Sequence, residues 1–271
     1  MISRYFAAPT PRIIAHRGGL IPAAGSDDPA TAEPENTLAA FGRAAALGLT
    51  HVETDVHASR DGVAVISHDS DLVRLAGRPD RIGSLTLAEL EAVDLGRGSS
   101  YTSLAAALDA FPGLHVNIDI KADAAATATA HAVRSTASAD RVLVTSFSAQ
   151  RRRRAVREMP GVATSASSAE IAGAVLAMNV ARSPALFRSA LRLVDAVQIP
   201  EHWHGVMILT PRLINACHSV GVEVHVWTVN EPVDMLRLLR LGVDGLVTDR
   251  PDLALWTLES GDERPVDEPS P

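Results

Sequence analysis

Two histidines, an arginine and several carboxylates crowd into residues 14–69: Ile14-Ala15-His16-Arg17-Gly18-Gly19, then Pro34-Glu35-Asn36-Thr37, Glu53-Thr54-Asp55, Asp61-Gly62 and His68-Asp69. Histidine titrates near neutral pH, so a pair of them supplies both a proton acceptor and a proton donor for one reaction. Paired carboxylates offer a seat for a hard divalent cation. The planar fork of Arg17 suits two oxygens of an anion, a contact lysine does not reproduce. Together these groups would serve chemistry on a phosphodiester.

Spacing says which of them share a face. Glu53 and Asp55 are two apart in a β-branched run, so their side chains converge while Val52, Thr54 and Val56 face the other way. Converging carboxylates repel each other and raise a pKa unless a cation neutralises them. Val116-Asn117-Ile118-Asp119-Ile120-Lys121 repeats the pattern and puts Asn117, Asp119 and Lys121 on one face, with Asp119 as a third carboxylate. Three carboxylates with one divalent ion leave a net negative charge; a bound phosphodiester adds a second, and Arg17 with Lys121 balances both. The alternatives are an ion pair of Lys121 with Asp119 alone, and a rim salt bridge for Arg17. Strict alternation would turn Arg17 away from His16, so Gly18-Gly19 is expected to break the strand there. Glu35 fits a supporting position that holds Arg17. Trp227 either walls the pocket or fills the core. Four consecutive arginines, 151–154, cover every face of a helix, so most are expected in solvent at an exposed helix start.

Elements that position these groups alternate in type. Parallel strands are expected at 13–16, 52–56, 116–120, 142–146, 162–165, 196–199, 223–228 and 245–248, with helices at 37–47, 87–93, 104–111, 124–136, 149–158, 169–178, 211–220 and 232–241. Eight such strands close a TIM (β/α)8 barrel. A ninth run at 63–67 follows the second strand across Asp61-Gly62, too short a link for a parallel crossover. It is expected to return as a small antiparallel hairpin insertion that carries His68 back to the barrel mouth. Residues 20–33 and 96–102 read as rim loops. One domain over 1–258 is expected, followed by a disordered acidic tail over 259–271.

Composition narrows the partners. With 25 Lys and Arg against 32 Asp and Glu, the net charge of −7 argues against nucleic acid and for a small-molecule substrate. A single cysteine and an N-terminus without a signal-peptide pattern suit a reducing cytoplasm. No apolar run approaches the roughly 20 residues of a membrane span, so no stable membrane insertion is expected.

These motifs resemble the glycerophosphodiester phosphodiesterase family. The resemblance runs from about Arg12 to Leu255 through His16-Arg17-Gly18, Pro34-Glu35-Asn36-Thr37, Glu53-Thr54-Asp55, Ser59-Arg60-Asp61-Gly62, His68-Asp69, Asn117 to Lys121, Val226-Trp227-Thr228-Val229-Asn230 and Asp244-Gly245-Leu246-Val247-Thr248-Asp249-Arg250-Pro251. It implies a metal-dependent barrel that hydrolyses glycerophosphodiesters to sn-glycerol 3-phosphate and an alcohol through a cyclic phosphate. It also implies His16 and His68 as the acid and base, Glu53, Asp55 and Asp119 as ligands of Mg²⁺ or Ca²⁺, and Arg17 with Lys121 as the phosphate clamp. This chain departs from the family pattern where Asp119 replaces a longer glutamate, where 20–33 lengthens the link between the first motifs, and where 96–102 lacks a longer insertion. Two other readings compete: a lysophospholipase D-type lipid phosphodiesterase, disfavoured by a chain with five Phe, three Trp and two Tyr and no evident exposed aromatic loop, and a non-catalytic phosphodiester-binding barrel.

Overall fold

Short Ile- and Val-rich runs form the staves of a barrel. The computed structural model describes residues 3–26, 28–203 and 205–260. Its strands are β1 (Arg12–Ala15), β2 (His51–Ala58), β3 (Ala64–Ile66), β4 (His115–Ile120), β5 (Val142–Thr145), β6 (Ala163–Thr164), β7 (Ala196–Ile199), β8 (His202–Trp203), β9 (Val206–Met207), β10 (Glu223–Val226) and β11 (Gly245–Thr248). The parallel order is β6-β5-β4-β2-β1-β11-β10-β7. Ser165 bridges Ala196 in parallel, and the Ala166 amide donates to the Ala196 carbonyl at 2.9 Å, so β6 meets β7 and the eight strands form a nearly closed TIM barrel.

The helices are α1 (Leu38–Ala46), α2 (Val73–Ala76), α3 (Leu87–Glu91), α4 (Leu104–Ala110), α5 (Asp123–Ser135), α6 (Ala149–Glu158), α7 (Ser168–Asn179), α8 (Pro184–Leu191), α9 (Pro211–His218), α10 (Pro232–Leu241) and α11 (Pro251–Ser260). Val52, Val56, Val116, Ile118 and Ile120 are buried in one cluster with Phe41, Leu104 and Leu213 from these helices, which is the core between sheet and helical shell. The lower barrel is plugged by Tyr5, fully buried against Leu143, Ala163 and Ala196.

The expected hairpin is present: β3 pairs antiparallel with β2, aligning Val56 with Ile66 and Ala58 with Ala64. Around it the segment to Tyr101 builds its own small core of Val65, Leu72, Ile82, Leu90, Val93 and Tyr101. Part of the stretch read as a rim loop at 96–102 is therefore packed.

Other boundaries differ for local reasons. Strand β1 stops at Ala15, because His16–Gly18 already form a 3-10 turn with Arg17 at φ 53°. Strand β10 stops at Val226, which leaves Trp227 on the loop beyond it. Helices α2, α8 and α11 and the β8–β9 hairpin lie outside the expected set. Helix α11 reaches Ser260, so Glu259 and Ser260 belong to it, and the rest of the expected tail, 261–271, lies outside the described residues. Of the four consecutive arginines 151–154 on α6, Arg152 is buried rather than solvated: it donates to Thr164 Oγ1 at 3.1 Å and pairs with Glu170 at 2.6 Å. Glu170 also accepts from the amide and hydroxyl of Ser167, so the same carboxylate anchors the start of α7.

Candidate active site

At the C-terminal ends of the strands a cavity of about 970 Å³ collects His16, Arg17, Glu53, Asp55, His68, Asn117, Asp119, Lys121 and Trp227 on one lining. Register explains the grouping. Strand β2 runs beside β4 with Glu53 opposite Asn117 and Asp55 opposite Asp119, so same-parity side chains of adjacent strands enter the barrel together.

His16 leaves the sheet on the 3-10 turn. Gly18 permits this turn: its φ is +90°, and a Cβ there would lie 2.7 Å from the Cβ of Ala40 on α1. The turn also aims the Arg17 amide at Glu53 Oε2, 3.0 Å away. His68 arrives by the hairpin; the Ser67 amide donates to the Asp55 carbonyl at 2.9 Å and so sets His68 beside the end of β2.

Each histidine is oriented by a carboxylate at Nδ1: His16 by Asp249 at 2.7 Å and His68 by Asp69 at 2.9 Å. Asp249 is itself fixed by Asn230, whose Nδ2 donates to Oδ2 at 2.9 Å and whose Oδ1 accepts from the Asp249 amide at 2.9 Å. Asp69 accepts from Arg74 Nε at 2.6 Å, and Arg74 forks onto Glu35 at 2.6 and 3.0 Å. Glu35 also takes Arg17 Nη1 at 3.1 Å, so it holds both arginines in a chain that ends at His68. Both rings line the cavity, and the other ring nitrogen of His16, Nε2, lies 3.9 Å from Glu53 Oε2. Burial works against a charge on His16, but the Asp249 hydrogen bond and the Glu53 charge outweigh it and raise its pKa.

Carboxylate burial creates the field that a cation would relieve. Burial, then repulsion from Asp55, pushes Glu53 up to about 8. Burial also opposes ionisation of Asp55, yet Lys121 and Arg17 hold its carboxyl below the usual range. Lys121 Nζ stands between two acids, 2.8 Å from Asp55 Oδ1 and 2.7 Å from Asp119 Oδ2. Arg17 Nε lies 3.2 Å from Asp55 Oδ2 without the alignment of a hydrogen bond. Asn36, at φ 57°, clamps the same carboxylate through Nδ2 at 3.2 Å and accepts from Thr54 Oγ1 at 2.8 Å.

The oxygens on hand suit a hard cation: Glu53 and Asp55 carboxylates, with Asn117 Oδ1 and Asp119 Oδ1 both buried and lacking a hydrogen-bond partner. The expected trio of Glu53, Asp55 and Asp119 is nevertheless not gathered as a coordination cluster. Among the described residues no three His, Cys, Asp or Glu side chains are placed to hold a metal. Lys121 Nζ pairs with both Asp55 and Asp119, so the structure shows the ion-pair reading of Lys121, extended to a second carboxylate.

Beyond the charged groups the cavity turns apolar. Trp227 is half-buried on its wall, its ring edge-on to Phe147 at 6.1 Å, and Ile171, Val175 and Leu176 of α7 face it with Trp203 and Val206 of the β8–β9 hairpin. Residues not singled out as site groups from sequence were Asp249, Asn230, Asp69, Arg74 and Asn36. The available signal was adjacency: Asp69 follows His68, and Asp249 follows the last strand at the barrel's catalytic end.

The model of the glycerophosphoryl diester phosphodiesterase family matches residues 16–253. Over 91% of this chain and 93% of its own length, a Mycobacterium tuberculosis protein named "Probable glycerophosphodiester phosphodiesterase 2" is 41% identical. A glycerophosphodiester phosphodiesterase of Caldanaerobacter subterraneus is 26% identical, over 92% of this chain and 98% of its own. In structure, a phosphodiesterase of Oleispira antarctica, solved in complex with its product sn-glycerol-3-phosphate, superposes with a TM-score of 0.74 at 23% identity, covering 92% of this chain and 97% of that one.

Proposed function

The chain belongs to the glycerophosphoryl diester phosphodiesterase family of phosphoric diester hydrolases, and from that premise we propose that it hydrolyses glycerophosphodiesters to sn-glycerol 3-phosphate and an alcohol. The observation that carries the proposal is the pair of histidines on one cavity, each held at Nδ1 by a carboxylate, beside Arg17 and Lys121.

Arg17 and Lys121 bind the phosphate oxygens. One histidine accepts the proton of the glycerol 2-hydroxyl at Nε2 as that oxygen bonds to phosphorus. The other gives a proton to the alcohol oxygen as its bond to phosphorus breaks. Water then opens the cyclic phosphate with the two roles exchanged. Proton transfer of this kind contributes roughly 10²- to 10⁴-fold. A divalent ion, Mg²⁺ or Ca²⁺, would be held by Glu53 and Asp55 with the free oxygens of Asn117 and Asp119 once it displaced the Lys121 ammonium from the two aspartates, which would leave Lys121 for the phosphate. When bound it would polarise a phosphoryl oxygen.

A second reading has one observation in its favour. The apolar wall from Trp227 to α7 offers room for an acyl chain, so a lysophospholipid is a candidate substrate on the same chemistry. The deciding experiment assays metal-depleted protein on glycerophosphocholine, glycerophosphoethanolamine and a lysophospholipid, restoring Mg²⁺ or Ca²⁺ in turn. Restored release of the alcohol from the first two is expected; full activity without metal, or in His16→Ala, overturns the mechanism.

A further inference from the structure

Around the cavity mouth the protein surface is apolar where a soluble enzyme's rim is ordinarily polar. Leu176, Val180, Leu186, Trp203, Val206 and Met207 are between 47% and 73% exposed. They come from two projections that meet there. One is the tip of the α7–α8 helical hairpin; the other is the β8–β9 hairpin. Arg212, on α9 just after the second, donates to the Met178 carbonyl of the first at 3.1 Å. Helix α7 is apolar around its whole circumference, with Glu170 its only charged residue. Such a helix is normally covered on every side, and large exposed apolar patches mark interaction sites.

Charge identifies the partner. The chain as a whole is acidic, yet no acidic residue falls between Glu170 and Asp195, while Arg182, Arg188 and Arg192 lie in that stretch and are exposed. Glu201, at the base of the β8–β9 hairpin, is neutralised by Arg237 at 2.8 Å on each oxygen. An exposed tryptophan among aliphatic side chains, next to arginines, is the composition that settles at a lipid–water interface with anionic head groups. The apolar rim is also continuous with the cavity, since Leu176, Val180, Trp203 and Val206 line its wall as well as its edge.

We propose that this two-hairpin rim docks the protein on the surface of a membrane containing anionic phospholipid, with the catalytic mouth facing the head groups. Docking is peripheral, since no helix among the described residues is long and apolar enough to cross a bilayer. It does not depend on which phosphodiester is cleaved.

The test is cosedimentation of the full chain with vesicles of phosphatidylcholine alone or mixed with phosphatidylglycerol. Binding is expected to the mixed vesicles and to weaken with added salt. Leu186→Glu with Met207→Glu, neither of which lines the cavity, should abolish binding and leave turnover of water-soluble glycerophosphocholine unchanged. Arg182→Glu should weaken binding roughly tenfold or more. No binding to mixed vesicles, binding that survives the double variant, or a dimer in gel filtration that the double variant dissolves would overturn the proposal, the last by assigning the patch to a second copy of this chain.

Discussion

His16 and His68 are held to different degrees. Asp249, which orients His16, is gripped through both its carboxylate and its amide by the single side chain of Asn230. Asp69, which orients His68, depends on the half-exposed Arg74. A carboxylate at Nδ1 fixes the tautomer and favours the charged imidazole, a task an amide performs poorly. Asp249→Asn is therefore expected to lower kcat by roughly 10²-fold with little change in KM. Steady-state kinetics beside a melting curve checks this, since a loss of folding alone would lower active enzyme without altering kcat per folded molecule. Glu35 touches both Arg17 and Arg74, so its role is to position two cations at once.

Among the elements, the turn after β1 sets the site. Its geometry needs Gly18, at φ +90° and with no space for a Cβ against Ala40. Gly18→Ala is expected to cost on the order of 2 kcal/mol and to lower activity further by shifting His16 and Arg17; denaturant titration and kcat/KM separate the two effects. The main strands were legible because β-branched runs alternate cleanly, and the return of His68 followed from a link too short for a crossover. What escaped was of another kind. Strands β8 and β9 have two residues each, too few for alternation to show, and their pairing of His202 with Met207 is visible only in space. Helix α8 follows α7 with only residues 180–183 and no strand between them, so the alternation of strand and helix left no place for it, although Ser183 caps its start. The burial of Arg152 was illegible for a similar reason, because its partner Glu170 is on the next helix.

At the scale of the whole molecule, the barrel divides its labour between two ends. Opposite the catalytic mouth, the buried Arg12 guanidinium donates to Glu223 at 2.8 and 3.0 Å, and His225 Nε2 lies 3.0 Å from the same carboxylate. Burial opposes the Glu223 charge, but His225 and Arg12 outweigh it and hold its pKa at about 2, down from 4.5. Because the folded-state value lies below that of the unfolded chain, its stabilisation is present above about pH 4.5 and is lost as pH falls toward 2, on the order of 3 kcal/mol in all. Unfolding measured across that window should show this loss in the native chain and a smaller one in Glu223→Gln. At neutral pH the same variant should be less stable by about 3 kcal/mol, since it leaves a buried guanidinium unpaired, while its folded fraction keeps its kcat.

The sequence alone determined the inventory and its parity: two histidines, carboxylates two apart on β2, and Asn117 and Asp119 on one face of β4 with Lys121 in phase just past its end. Parity is a local property of an extended chain, so it survives without knowledge of the fold. Tertiary structure decided the partners. Asp249 reaches His16 across 233 positions because β11 lies beside β1, and Lys121 sits between Asp55 and Asp119 because β4 lies in register with β2. Barrel closure and strand register set those pairings, and neither is written in any local window of residues.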